Sequence, residues 1–419
     1  MKECKKKSRK VTFFGLFGQG NLGNECTLQA IIYNLRRYVV DAKVSCICTG
    51  PEDVSKRHNI SAYVMSQRNV QGLDSKVWCR HSRLIMRGIR IILIRLPMEL
   101  RDCFMAFRIL RGTEMLCVPG TGFLTDRLSS TFGWPYEIFK WSIIAKICRC
   151  KLLFVSVGTN KILSNLSKWF IKSALSLADY RSYRNSYSKQ YLKSIGFNTN
   201  NDPIYPDLAF SLPKSMMPIW RNRDRQWPVI GVGLMDYQGQ GGGSRQNGKV
   251  IYRDFIEKMY TFVKWLLEHN YAVRLLIGDL KFDSSAKQDL LGLIQNSQFN
   301  YDKRKIFCEP FYTVEELFSQ LAKTDIVISP RFHNLLLALM INKPVIALSY
   351  HEKIDALMDE FELGEYCHKL DCFDVERLIG QFIELERNAA RLKPFFRQKS
   401  DEFRMTLDKQ YSHIFNDLS

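Results

Sequence analysis

The chain has 419 residues, enough for two domains of ordinary size, each with its own core. With 46% apolar and 12% aromatic residues it is a globular chain, not a disordered one. A formal net charge of +19 points to an anionic partner: a phosphorylated metabolite, an acidic glycan, a membrane surface or nucleic acid.

The N-terminus, MKECKKKSRKVTFFGLFGQG, is basic, but its apolar run passes straight into glycines, so no signal peptide is expected. Strands are predicted at 10–17, 43–49, 115–120 and 151–158, with a short one at 179–184, and helices at 25–38 and about 134–148. Between them, residues 79–111 interleave Arg80, Arg83, Arg87, Arg90, Arg95, Arg101, Arg108 and Arg111 with Ile, Leu, Met and Phe. This segment reads either as amphipathic packing helices or as a cationic face for anionic lipid. No nucleic-acid motif accompanies it, and no nucleic-acid partner is expected.

The second half repeats the scheme. Strands are predicted at 228–235, 272–279, 305–310, 325–330 and 344–350, and a helix at 255–270. Residues 207–228, rich in proline and charge, read as a linker. The alternation of strand and helix predicts an α/β chain of two Rossmann-like domains facing a crevice, with ligands at the carboxyl ends of the strands. The expected division is 1–212, 213–391, and a polar helix over 392–419 that crosses back to the first domain. No stretch reaches transmembrane length. The 12 cysteines show no zinc-like spacing; Cys46/Cys48 and Cys148/Cys150 are read as buried strand residues, reduced in a cytoplasmic protein, and no metal is expected.

Three stretches carry chemistry. In FFGLFGQGNLGNECTLQ, Gly15, Gly18, Gly20 and Gly23 close a strand and open a helix near Asn24-Glu25, so backbone N–H groups face an anion. The spacing is neither a dinucleotide fingerprint nor a Walker A loop. In CVPGTGFLTD, Gly120 and Gly122 follow a strand and Asp126 comes shortly after. In SPRFHNLLLALMINKPVIALSYHEK, Arg331 and His333 occupy the turn from a strand into a helix, an anion-gripping guanidinium beside a proton-transferring imidazole. Tyr350, His351 and Lys353 follow the next strand, Lys353 as a second phosphate contact or a surface residue.

Taken in order, GNLGNE, RNSYSKQYL followed by YPDLAFSL, and SPRFHNLLLALMINKPVIALSYHEK resemble the polysaccharide pyruvyl transferase family, over residues 13 to roughly 353. The resemblance implies a GT-B-like fold and no metal. It also implies transfer of the carbon skeleton of phosphoenolpyruvate onto sugar hydroxyls, usually as a cyclic ketal, on a cell-surface polysaccharide or its lipid-linked precursor. The family's Arg-x-His signature falls on Arg331 and His333, which would meet phosphoenolpyruvate. Arg184, with Asn185 and Ser188, matches an Arg-Asp-x-x-Ser pattern and is a second candidate for the donor's charge; Pro206-Asp207 would be structural.

Three departures fall on the acceptor side: Asn24 for the usual aspartate, PGTGFLTD for a three-glycine turn, and SVGTNKI for a glycine-rich loop. Gly20, Asn21, Gly23, Glu25, Gly120, Gly122 and Asp126 are candidate substrate contacts, with Glu25 and Asp126 as carboxylates for activating a hydroxyl. Two other classes share the pattern. One is a GT-B glycosyltransferase using a nucleotide sugar, and the other a non-catalytic binding protein of a glycan pathway. All three would suit work at the inner membrane face.

Overall fold

The computed structural model describes residues 9–66, 96–127, 129–218, 225–237, 245–297 and 299–416. Its strands fall into two parallel six-stranded sheets, each in its own structural unit. Unit 1 comprises Met1–Gln19, Thr27–Asp207 and Gln410–Ser419; unit 2 comprises Gly20–Cys26 and Leu208–Lys409. The main break therefore lies at 207/208, a few residues before the expected 212/213.

Unit 1 holds β1 (Lys10–Gly15), β2 (Lys43–Cys48), β3 (Ser61–Val64), β4 (Met115–Pro119), β5 (Lys151–Val157) and β6 (Tyr180–Tyr183), in the order β3-β2-β1-β4-β5-β6. The central strands are apolar over nearly their whole length because both faces are covered by helices, as parallel sheets require. Those helices are α1 (Leu22–Tyr38), which enters unit 1 at Thr27, α2 (Pro51–His58), α3 (Leu96–Leu110), α4 (Trp134–Ile147), α5 (Asn165–Ser176) and α6 (Ser186–Ser194). Phe14, Phe123 and Trp141 meet in the core, with ring centroids 5.7 and 5.9 Å from Phe14.

Unit 2 repeats the design. Strands β7 (Val229–Gly233), β8 (Ala272–Leu276), β9 (Ile306–Phe307), β10 (Ile326–Ser329), β11 (Val345–Ser349) and β12 (Cys367–Lys369) run in the order β12-β11-β10-β7-β8-β9. Its helices are α7 (Arg245–Glu268), α8 (Asp283–Asn296), α9 (Val314–Ala322), α10 (Phe332–Met340), α11 (Glu352–Glu360) and α12 (Val375–Phe415), of which α12 passes into unit 1 at Gln410. Counted along each unit, both sheets have the 3-2-1-4-5-6 order of a Rossmann fold, in which the chain reverses direction beside the first strand. That reversal lies between β1 and β4 in unit 1, and between β7 and β10 in unit 2.

Several elements differ from the sequence expectation. The outer strands β3 and β12 are absent from it: they span four and three residues, and β3 alternates exposed with half-buried positions instead of forming an apolar run. The terminal helix is 41 residues long and starts at Val375, not 392; Pro394 lies inside it without ending it. Part of the expected linker packs as a buried 3-10 turn, Leu208–Ser211. Cys46 and Cys48 are buried in β2, whereas Cys148 caps α4 and Cys150 precedes β5, so only the first pair lies in a strand. Residues 79–95 of the basic segment lie outside the described residues.

Among the described residues no helix is long and apolar enough to cross a membrane, and no cluster of His, Cys, Asp and Glu could hold a metal ion.

Candidate active site

Ser329 ends β10 at the switch point of unit 2, and the chain turns through Pro330 into α10. Arg331 is the N-cap of that helix and His333 its second residue, so both stand where the helix presents its unpaired N–H groups. The Ser329 hydroxyl accepts from the Arg331 N–H at 3.0 Å and fixes the turn. Neighbouring β7 ends in Gly233, where a Cβ would lie only 2.1 Å from the Ser329 Oγ.

Arg331 is held as a fork. Its Nε donates to Asp283 Oδ2 at 2.8 Å and its Nη2 to Asp283 Oδ1. Asp283 is fully buried at the start of α8, and it also accepts from the backbone N–H groups of Gly278, at 3.0 Å, and Asp279, at 2.8 Å. Burial alone would lower the Arg331 pKa, but the Asp283 carboxylate outweighs it and holds the guanidinium above its ordinary value. Gly278 is bare for a spatial reason, since a Cβ there would sit 2.9 Å from the Arg331 stem.

The first glycine-rich stretch packs onto the same place. Leu22 N–H donates to Gly278 O at 3.1 Å, Leu280 N–H donates to Gly20 O at 2.9 Å, and Asn21 Nδ2 donates to Asp279 Oδ2 at 3.3 Å. Asn21 also caps α1, its Oδ1 accepting from Asn24 N–H at 3.2 Å. Gly23, in the first turn of α1, lies under the imidazole: a Cβ added there would be 2.0 Å from His333 Nδ1. Gly23 is therefore a seat for His333. Gly18 serves another contact, against the Gly50 backbone in unit 1.

Arg184 follows β6 in unit 1 and is likewise paired with an aspartate. Its Nη1 donates to Asp207 Oδ2 at 3.0 Å, with both side chains buried. A Cβ at Gly158 would lie 2.5 Å from Arg184 Nη2, so this glycine leaves room for the guanidinium; at Gly122 a Cβ would make an ordinary contact at 3.6 Å. Asn185 caps α6 by accepting from Ser188 N–H at 2.9 Å, and Ser188 Oγ accepts from Thr159 N–H at 3.1 Å. The Arg-Asn-x-x-Ser pattern thus combines one charged group with a helix cap.

A family model for polysaccharide pyruvyl transferase matches residues 21–352. The chain belongs to the polysaccharide pyruvyl transferase family, an enzyme family. No curated protein matches it. Among solved structures it is similar to S. aureus MnaA in complex with UDP, at TM-score 0.56 and 13% identity over 98% of this chain and 97% of that one. It is also similar to the UDP-GlcNAc 2-epimerase of Neisseria meningitidis bound to UDP-GlcNAc, at 0.53 and 14% over 96% and 100%. MurG of Acinetobacter baumannii follows at 0.51 and 10% over 97% and 100%. At these identities the likeness carries the fold alone, which is GT-B-like with two Rossmann-like domains.

The remaining candidates of this pyruvyl transferase fall into different classes. Lys353 lies in the first turn of α11, beside the N-cap His351, with its ammonium 5.6 Å from the Phe332 ring centroid and 5.8 Å from that of Tyr350. Burial pushes the Tyr350 phenol up, but the Lys353 and Arg331 charges outweigh it and hold it below its ordinary value. Lys353, Tyr350 and Arg331 thus form one electrostatic cluster.

Asp126 behaves differently. It accepts from the N–H groups of Leu163 and Ser164, at 2.8 and 2.9 Å, and organises the loop before α5. Burial would raise its pKa, yet these donors prevail and hold it below the usual carboxylate range, which makes it a poor base. Glu25 is buried in α1. Gly120 forms the bend that follows β4, at the switch point of unit 1.

Asp279 and Asp283, the partners of Asn21 and Arg331, are not singled out by the sequence patterns above. Their signal is GDLKFD at 278–283, a glycine and two aspartates directly after β8, which is the same strand-end pattern that marks the other loops.

Proposed function

We propose that this enzyme transfers the three-carbon skeleton of phosphoenolpyruvate to two hydroxyls of a sugar as a cyclic ketal, releasing inorganic phosphate. One observation carries the reading: Arg331 and His333 open α10 at the switch point of unit 2, with His333 seated on the bare Gly23. An anion reaching this helix start meets N–H groups, a fixed guanidinium and an imidazole together.

His333, as imidazolium, protonates the methylene carbon of the donor, and positive charge develops at the carbon bearing the phosphate oxygen. A sugar hydroxyl adds there and its proton returns to the imidazole. A second hydroxyl then displaces phosphate, which leaves with the second proton. Arg331, Lys353 and the helix start would hold the carboxylate and phosphate and stabilise the leaving charge. Arg184, in unit 1, is a further candidate for contact with an anionic group. The acceptor is a cell-surface polysaccharide or its lipid-linked precursor. Phosphoenolpyruvate is an intracellular metabolite, so the reaction belongs to the cytoplasm.

A nucleotide-sugar donor would call for a carboxylate near the end of β11 to bind the ribose hydroxyls. Of the two carboxylates nearest there, Glu352 is exposed, 3.4 Å from His351 Nδ1, and Asp355 accepts from Lys369 Nζ at 2.6 Å.

The test is a thermal-shift titration with phosphoenolpyruvate and with a panel of nucleotide sugars, since a ligand that binds only the folded state raises the melting temperature. Phosphoenolpyruvate should raise it, and His333→Ala should keep that shift within a few-fold in affinity while losing turnover. A shift with a nucleotide sugar alone, or full turnover in His333→Ala, would overturn the reading.

A further inference from the structure

The outer face of α3 carries large apolar side chains that the core does not take. Leu100 and Phe104 are 63% and 61% exposed, and Phe107 is 38% exposed. At 3.6 residues per turn, Leu100, Phe104, Phe107 and Arg111 form one stripe, with Arg101 and Arg108, a heptad apart, beside it. The opposite face is the packed one: Ala106 and Leu110 are buried in the unit 1 core, and Cys103 and Ile109 rest against it. The helix is thus apolar on two sides and needs only one of them to fold.

The exposed stripe extends beyond α3. Cys148 Sγ donates to Phe107 O at 3.8 Å, which brings the end of α4 alongside, and the adjacent Ile147 is 63% exposed. Large apolar side chains exposed together along one helix face mark a binding face. Its charge selects the partner: the exposed residues between the apolar ones include Arg101, Arg108 and Arg111, with the Arg108 guanidinium 6.0 Å from the Phe104 ring centroid. The acidic side chain of Glu99 is turned away, accepting from the Tyr136 hydroxyl at 2.8 Å and lying 3.3 Å from Lys140 Nζ. Phenylalanine and leucine interleaved with arginine along one helix face match the boundary between acyl chains and anionic headgroups.

We infer that the outer face of α3, extended by the end of α4, docks on an anionic lipid bilayer, with Leu100, Phe104 and Phe107 entering the acyl boundary and Arg101, Arg108 and Arg111 engaging phosphate headgroups. The inference is independent of the donor, because docking needs no substrate.

Co-sedimentation of the full chain with phosphatidylcholine vesicles, with and without phosphatidylglycerol, tests it. The protein should pellet with the anionic vesicles and be released by salt. The triple variant Leu100→Ser/Phe104→Ser/Phe107→Ser should lose binding at least about tenfold, with its melting temperature kept. Arg101→Gln/Arg108→Gln/Arg111→Gln removes no apolar group and serves as the second variant. It should lose about fivefold per charge and most of the salt sensitivity. The proposal fails if the parent chain does not pellet with anionic vesicles, or if both variants pellet as it does. It fails equally if the serine variant elutes as a smaller species on size exclusion, since the stripe would then be a contact between copies of this chain.

Discussion

Truncating Arg331 would leave Asp283, fully buried, without the guanidinium that balances it. Breaking one side of a buried ion pair costs about 3–5 kcal/mol. Arg331→Ala should therefore lower the melting temperature of the protein before any ligand is added, and a urea titration will read that loss directly. His333→Ala, at a half-buried position, should unfold within about 1 kcal/mol of the parent chain. Any loss of phosphoenolpyruvate binding in Arg331→Ala thus has to be corrected for folding, whereas a loss of turnover in a folded His333→Ala would support the proposed role of the imidazole. Gly23→Ala tests the seat of His333 on its own. Its new methyl meets the imidazole, so turnover should fall while donor binding persists, and Gly23→Ala with an unchanged turnover number would remove the seating role. The arginine and the histidine are legible in the sequence because they interrupt an apolar pattern at a strand end. Asp283 is not, because nothing in the sequence pairs positions 283 and 331.

At the scale of elements, the central strands are legible as apolar runs, while β3 and β12 are hidden by their brevity and edge position. The junction of α9, β10 and α10 depends on a residue that the sequence shows only as one more lysine. Lys343 Nζ donates to the carbonyls of Ala322, at 3.0 Å, and Thr324, at 2.5 Å, closing the end of α9. Burial, reinforced by Lys393 and Arg225 against the opposing pull of Asp325, lowers its pKa to about 8. A folded pKa below the unfolded value of 10.5 means that the unfolded chain binds the extra proton between these two values. Stability therefore rises with pH across that window, by an amount on the order of 2–3 kcal/mol from this one group. Urea midpoints at neutral pH and at about pH 10, compared with Lys343→Met, will isolate it. The rise should be smaller in the variant by that amount, and equal rises would show that Lys343 does not titrate in this range.

For the whole molecule, the repeated strand–helix alternation is enough to give two Rossmann-like domains, and the comparisons place the chain among GT-B-like folds. The expectation that the terminal helix crosses back to the first domain names no residue that would hold it there, since a polar helix carries little information about its partner. Gln410 is that residue. Fully buried, it accepts from Ser156 Oγ at 3.1 Å and donates to Ser182 Oγ at 2.6 Å and to the Tyr180 hydroxyl at 3.2 Å. It thereby joins the last turns of α12 to β5 and β6 of unit 1, at a point where Ser156 has a left-handed φ of 48°. A non-glycine residue holds that conformation only when its surroundings over-determine it. Gln410→Ala removes an acceptor and a donor from the buried Ser156 and Ser182 hydroxyls and a donor from the half-buried Tyr180, at a cost of about 1–3 kcal/mol. Hydrogen exchange should then speed up in residues 151–157 and 180–183 and stay unchanged in β7, β10 and β11, because opening is local where the lost contacts are local. Faster exchange in the unit 2 strands as well would mean that α12 stabilises both sheets as one cooperative element.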